Sequence, residues 1–144
     1  MLGTLLVAFG IFAICAVIHT TSIVTLAEWL EKRPFLLEQQ PGALRESAYL
    51  IAVFGVLITL HLIETAIWAG FYLWLKLFAD FETALYFSIV SYATIGYGDV
   101  VLPKAWRLLG CIEGFCGVLL CGLSGAFVFV VLSALFQVRK QSQN

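Results

Sequence analysis

The sequence predicts an all-α membrane protein with three transmembrane helices and a shorter re-entrant helix and loop between the second and third. Three observations carry this. The 144 residues are 62% hydrophobic and 12% charged, with mean hydropathy +1.00. A soluble domain carries about 25% charged and about 45–50% apolar residues, so little room is left for an additional soluble domain. Three apolar segments, from about Leu2 to Ala27, Ser47 to Leu75 and Leu108 to Val138, each exceed the ~20 residues that cross a bilayer as a helix. Between the last two lies residues 80–93, followed by the polar, glycine-rich run Thr94-Ile95-Gly96-Tyr97-Gly98-Asp99.

The first segment reads as a retained span rather than a cleaved leader. No Lys or Arg precedes position 32, and the apolar run exceeds the usual stretch of about 7–15 residues. Lys32 and Arg33 would hold its C-terminal end in the cytoplasm. With Arg45, Arg139 and Lys140 they face Lys76, Lys104 and Arg107 on the other side. That bias predicts an outer N-terminus and a cytoplasmic C-terminus. Trp29, Trp74 and Trp106 fall at the interfaces, where indole rings collect. Pro41-Gly42 marks a bend in the connection, which has room for a short amphipathic stretch.

Residues 80–93 make about 20 Å of helix, too short for a ~30 Å apolar core. Asp80 is placed to cap this helix, with Glu82 in its first turn. The glycines that follow turn the chain back. Irregular backbone survives at membrane depth only where protein buries it or it lines a water-filled path. A run with two glycines and one hydroxyl suits the display of carbonyl oxygens to a cation.

The six residues 94–99 resemble the selectivity-filter signature of the potassium channel family, with Ile95 in place of the usual valine. The preceding half-membrane helix and the following span match that family's pore domain, and the resemblance covers about residues 50–138. It implies a pore domain over residues 47–144 and an extra helix with its connecting segment over residues 1–46. It implies K+ ligands from the carbonyls of Thr94, Ile95, Gly96 and Tyr97 and from the Thr94 hydroxyl. Gly96 and Gly98 would supply the backbone handedness that lets successive carbonyls face one axis. Asp99 would stand at the outer mouth and concentrate cations there. The C-terminal end of the re-entrant helix, negative in its dipole, would aim at the cavity below. One chain holds one filter segment, so a homotetramer is implied, embedded in lipid and passing K+ with no cofactor.

The chain also departs from the family pattern. Ala93 stands where a second threonine is common, and Val90 where some members have glutamate. Tyr86-Phe87 replaces a tryptophan pair, and Phe87 cannot donate a hydrogen bond to the filter tyrosine. Ser91 keeps a hydroxyl behind the filter. Because these changes remove part of the family's bracing, a weakly selective cation channel stands as an alternative to a K+ channel. A non-conducting scaffold or regulatory subunit is the reading from another class.

In the third span, Gly110, Gly114, Gly117, Cys121, Ser124 and Gly125 follow helical spacing, and small residues let membrane helices approach closely. Aligned on the family through Trp106 and Arg107, Gly117 takes the place of its inner-helix hinge. Val118, Cys121, Gly125 and Phe129 share a stripe suited to line a cavity, with a ring of Phe129 side chains as an apolar gate.

His61, Glu64 and Glu113 lie at membrane depth, where ionisable residues are costly and either functional or paired. His61 and Glu64 are three residues apart on one face and within reach of each other. Glu113 falls at filter depth and is expected to bond Ser91 or Tyr92, supporting the filter from behind. His19, beside Thr20, Thr21 and Ser22, reads as a hydrogen-bonded packing residue. Cys15, Cys111, Cys116 and Cys121 show no metal-ligand spacing and read as small apolar fillers. No nucleophile–base pattern suggests an enzyme, and a net charge of −1 gives nucleic-acid binding no support. No repeat of Arg or Lys points to voltage sensing, and no soluble ligand-binding domain is expected.

Overall fold

A computed structural model describes residues 2–32 and 42–141. The expected bend at Pro41, the role of Arg33 and the amphipathic stretch of the connection lie outside the described residues. The chain forms α1 (Leu2–Glu31), α2 (Ala43–Trp74), the short α3 (Phe81–Tyr92), a 3-10 turn (Lys104–Trp106) and α4 (Arg107–Gln141). Three stretches, Gly3–Glu31, Ala43–Trp74 and Lys104–Lys140, are long and apolar enough to cross a membrane. Each helix runs a few residues past the apolar segment read from the sequence. Polar helix formers such as Glu28, Glu31, Arg45 and Arg139 continue the hydrogen-bonded spiral once the apolar part has set it.

α2 ends with Lys76 in a left-handed conformation, φ 56°. The Leu77 amide donates to the Tyr72 carbonyl at 3.0 Å and the Lys76 amide to Leu73 at 2.8 Å. This paired bonding closes the last turn and sends the chain back toward the bundle. α3 starts as the sequence predicts. Asp80 accepts from the Thr83 amide at 2.8 Å and from the Thr83 hydroxyl at 2.9 Å. The Thr83 amide keeps the exposed Asp80 carboxyl below its ordinary range. At 12 residues, α3 is about 18 Å long and reaches roughly half-way across an apolar core.

α3 sits between α2 and α4. α1 packs on the outside, through Ala8, Ile11, Cys15, His19 and Ile23 at spacings of three and four. One apolar cluster joins Cys15 and Ile11 of α1, Trp68 and Tyr72 of α2, Phe87 of α3 and Leu109 of α4. A second lies toward the other end and includes Ile23, Val53, Phe127 and Leu135. Cys15 and Cys116 are buried fillers, whereas Cys111 and Cys121 are exposed on the single chain, and all four are free thiols. Lipid is as apolar as leucine, so helix association here depends on close packing and hydrogen bonds. The buried polar residues between the helices therefore matter more than their number suggests.

Candidate functional site

The Thr94–Asp99 loop begins directly after α3, whose last residue is Tyr92 and whose C-cap is Ala93. Its first amides turn back onto the helix end. Thr94 donates to the Ser91 carbonyl at 3.0 Å, Ile95 to Val90 at 2.9 Å, and Gly96 to the same Val90 carbonyl at 3.3 Å. These bonds satisfy orphan carbonyls of the last helical turn. With its amides pointing back, the loop keeps its carbonyls unused. Among the described residues nothing donates to the carbonyl oxygens of Thr94, Ile95, Gly96 or Tyr97.

Backbone handedness alternates along the loop. Thr94, Gly96 and Gly98 have φ of 57°, 60° and 79°, while Ile95 and Tyr97 between them stay outside the positive region. The two glycines were expected there, since they adopt φ > 0 without a Cβ clash. Thr94 was not. A β-branched residue in that region costs about 1–2 kcal/mol, and such strain persists only where the surroundings impose it. Ile95 is 50% exposed and Tyr97 70% exposed on the single chain.

Polar contacts at three places hold the loop and its helix. At the far end of the loop the Tyr86 hydroxyl donates to Asp99 Oδ2 at 2.6 Å. That bond keeps the Asp99 carboxyl below the usual carboxylate range. Tyr86 thus braces the loop from the residue before Phe87. Phe87 instead packs edge-on against Tyr72, with ring centroids 5.4 Å apart, and beside Phe78.

Behind the middle of α3 lies Glu113, fully buried. Its carboxyl accepts from the Tyr72 hydroxyl at 2.6 Å and makes a very short contact with the Ser88 hydroxyl. The expected partners were Ser91 or Tyr92, and the correction is one turn of α3. Ser88, not Ser91, faces the buried side of the helix there, while Ser91 supplies its carbonyl to Thr94.

At the C-terminal end of α3, the Tyr92 hydroxyl donates to Glu64 Oε2 at 2.5 Å. His61 Nδ1 lies 3.2 Å from the same oxygen, as the helical spacing predicts. His19 of α1 reaches Glu64 Oε1 through Nδ1 at 2.8 Å, and Ser124 of α4 bridges both imidazoles. His19 therefore bonds across helices, not to Thr20 or Ser22. Thr20 and Thr25 turn their hydroxyls onto their own helix. The sequence shows no metal-ligand spacing, yet the fold brings donor atoms of His19, His61 and Glu64 within 4.8 Å of one another. Sequence reasoning missed Tyr86 as a site-holding residue, and it named His19 and Tyr92 as hydrogen-bonding residues without their shared partner Glu64. The available signal was a set of polar residues at mid-helix on separate spans.

α4 meets α3 along its glycines. A Cβ on Gly110 would come within 3.1 Å of the Phe87 ring, and one on Gly114 within 3.2 Å of the Ser91 carbonyl. At Gly117 it would overlap the Tyr92 carbonyl. The expected stripe Val118, Cys121, Gly125 and Phe129 is exposed, on a different face from the buried Ser124 and Phe127. Residues of α3, the loop and α4, among them Val90, Thr94, Gly96, Gly114 and Val118, line an open cavity of about 620 Å³.

Residues 58–134 match the model of a family described as ion channel. No curated protein and no solved structure matches the chain. The matched residues run from the middle of α2 through α3 and the loop into α4, more than half of the sequence. They contain the irregular loop, the helix that carries it and the glycine face that seats that helix. The chain belongs to the ion channel family, with its pore domain in residues 58–134, and it is not an enzyme.

Proposed function

We propose that the chain is one subunit of a potassium-selective channel, with residues 47–144 as its pore domain and residues 1–46 as an added helix and connection. Four copies surround one axis, and dehydrated K+ passes between the carbonyls of Thr94, Ile95, Gly96 and Tyr97 and the Thr94 hydroxyl. The observation that carries this reading is the alternation of φ at Thr94, Gly96 and Gly98, in a loop whose carbonyls receive no hydrogen bond among the described residues. Such a strand offers oxygens where a hydration shell must be replaced.

Exposure of Ile95 and Tyr97 supports assembly, because large side chains wedge a loop open only when neighbouring copies press on them. Asp99 then marks the outer mouth. Val118, Cys121 and Gly125 line the cavity, with Phe129 as the constriction and Gly117 as the place where the inner helix turns. The charge bias between the two sides supports an outer N-terminus and a cytoplasmic C-terminus.

A weakly selective pore is the second reading, favoured by Phe87, which gives Tyr97 no hydrogen-bond partner from that position. Gly96→Ala decides whether these residues form the conduction path. The added Cβ disfavours φ near +60° while touching nothing else in the chain. The variant should insert and assemble like wild type and lose K+ flux or K+ preference in liposomes. Wild-type flux and preference in Gly96→Ala would refute the site.

A further inference from the structure

At the foot of α3, five side chains from four helices close a ring: His19 of α1, His61 and Glu64 of α2, Tyr92 of α3 and Ser124 of α4. Four of them are buried, and His61 is about 20% exposed. We propose that His19 is a positioning residue for the filter, acting through Glu64 on Tyr92, so that the first helix is a working part of the pore. This rests on the reading of residues 94–98 as the filter.

Hydrogens can be followed round the ring. Tyr92 gives its only hydrogen to Glu64 Oε2 at 2.5 Å. His61 Nδ1, 2.9 Å from the Tyr92 oxygen, must then be the donor to it. With its ring hydrogen at Nδ1, His61 accepts at Nε2, where the Ser124 hydroxyl lies 3.1 Å away and spends its hydrogen. Ser124 can now only accept from His19 Nε2 at 3.2 Å. One hydrogen remains, between His19 Nδ1 and Glu64 Oε1 at 2.8 Å, and it closes the circle. Every ring atom is satisfied and the net charge is zero whether that last hydrogen sits on His19 or on Glu64, and with it on Glu64 all bonds run one way.

Cutting such a ring at His19 leaves Glu64 and Ser124 each short of a partner in a buried place, and Glu64 must then pull on Tyr92 or admit water. Tyr92 is the last residue of α3, and two residues on is the strained Thr94. Its carbonyl sits against Gly117 of α4. A shift of Tyr92 therefore reaches the first ion-binding residue and the inner helix together. This makes α1 more than a membrane anchor.

The test compares wild type with His19→Leu, His19→Asn and Ser124→Ala as purified assemblies in liposomes. An Asn side-chain amide nearly overlays imidazole Nδ1, so His19→Asn keeps the donor to Glu64. Ser124→Ala opens the ring at a neutral joint and serves should His19→Leu fail to assemble. Two readouts are taken: the K+/Na+ permeability ratio, and hydrogen exchange of the amides of residues 93–99, which does not depend on which ion passes. His19→Leu should lower the ratio at least about threefold and raise exchange across Thr94–Gly98, with Ser124→Ala intermediate and His19→Asn near wild type. Unchanged ratio and exchange in His19→Leu would overturn the proposal, as would equal losses in all three variants that follow melting temperature alone. A melting point of wild type raised by added Zn2+ and indifferent to it in His19→Asn would overturn it in favour of a metal centre. Absence of K+ preference in wild type, with loop exchange still rising in His19→Leu, would count against the filter reading and not against the positioning by His19.

Discussion

The backbone of Gly117 rests directly on the carbonyl of Tyr92, with no space for a methyl group between them. This contact fixes the distance between α4 and the end of α3. Gly117→Ala gains about 1 kcal/mol of helix propensity but forces the two backbones apart, and overpacking costs about 1–3 kcal/mol. The expected result is a lower melting temperature and a less stable assembly. Gly122→Ala is the control, because a Cβ there meets nothing within 4 Å in the chain and brings the propensity gain alone. Equal or higher stability of Gly117→Ala relative to Gly122→Ala would show that the contact is not limiting.

Asp99 keeps its charge further into acid through its bond from Tyr86. A carboxyl held below its ordinary range stays ionised until the pH falls through that lowered value, so its effects persist in acid and vanish last. In the proposed channel, inward conductance should survive outside acidification to below the usual carboxylate range. Tyr86→Phe removes the donor, and the fall in conductance should begin at higher pH. Single-channel current against external pH reads this directly, and identical profiles for the two proteins would reject the role of Tyr86.

Glu113 is held by hydroxyls from two neighbouring helices. The Ser88 hydroxyl contacts both Glu113 and the Thr65 carbonyl, the latter at 2.8 Å, but owns one hydrogen. Ser88 thus donates to one or the other, while Tyr72 donates to the second Glu113 oxygen. Glu113→Gln preserves one donor and one acceptor in nearly the same shape and should leave stability within about 1 kcal/mol. Glu113→Val strands the Tyr72 hydroxyl, which costs about 1–3 kcal/mol where no water reaches it, and leaves Ser88 only the Thr65 carbonyl. Its assembly should melt earlier and its current should decay faster. Matching behaviour of the Gln and Val variants would reduce Glu113 to a space-filling residue.

Local chemistry was legible in the sequence, and relative rotation was not. Asp80 with Thr83, the half-length of α3 and the positive φ of Gly96 and Gly98 follow from a few adjacent residues. The choice of Ser88 over Ser91 as the partner of Glu113 depends on how α3 is turned about its own axis. That turn is set by the glycine face of α4 and the aromatic packing of Phe87. The bond from His19 to Glu64 joins residues 45 apart, and that to Ser124 residues 105 apart, so no periodicity within α1 points to either. Gly117 was placed correctly on the face of small residues, but a hinge and a tight crossing call for the same residue. Only the position of Tyr92 reveals the crossing.

The most direct test of the central claim is the reversal potential of the purified wild-type protein in liposomes, with potassium inside and sodium outside. A potassium-selective pore built from Thr94 to Gly98 predicts a strongly negative interior potential at zero current, approaching the potassium equilibrium value. A current that reverses near zero would contradict potassium selectivity.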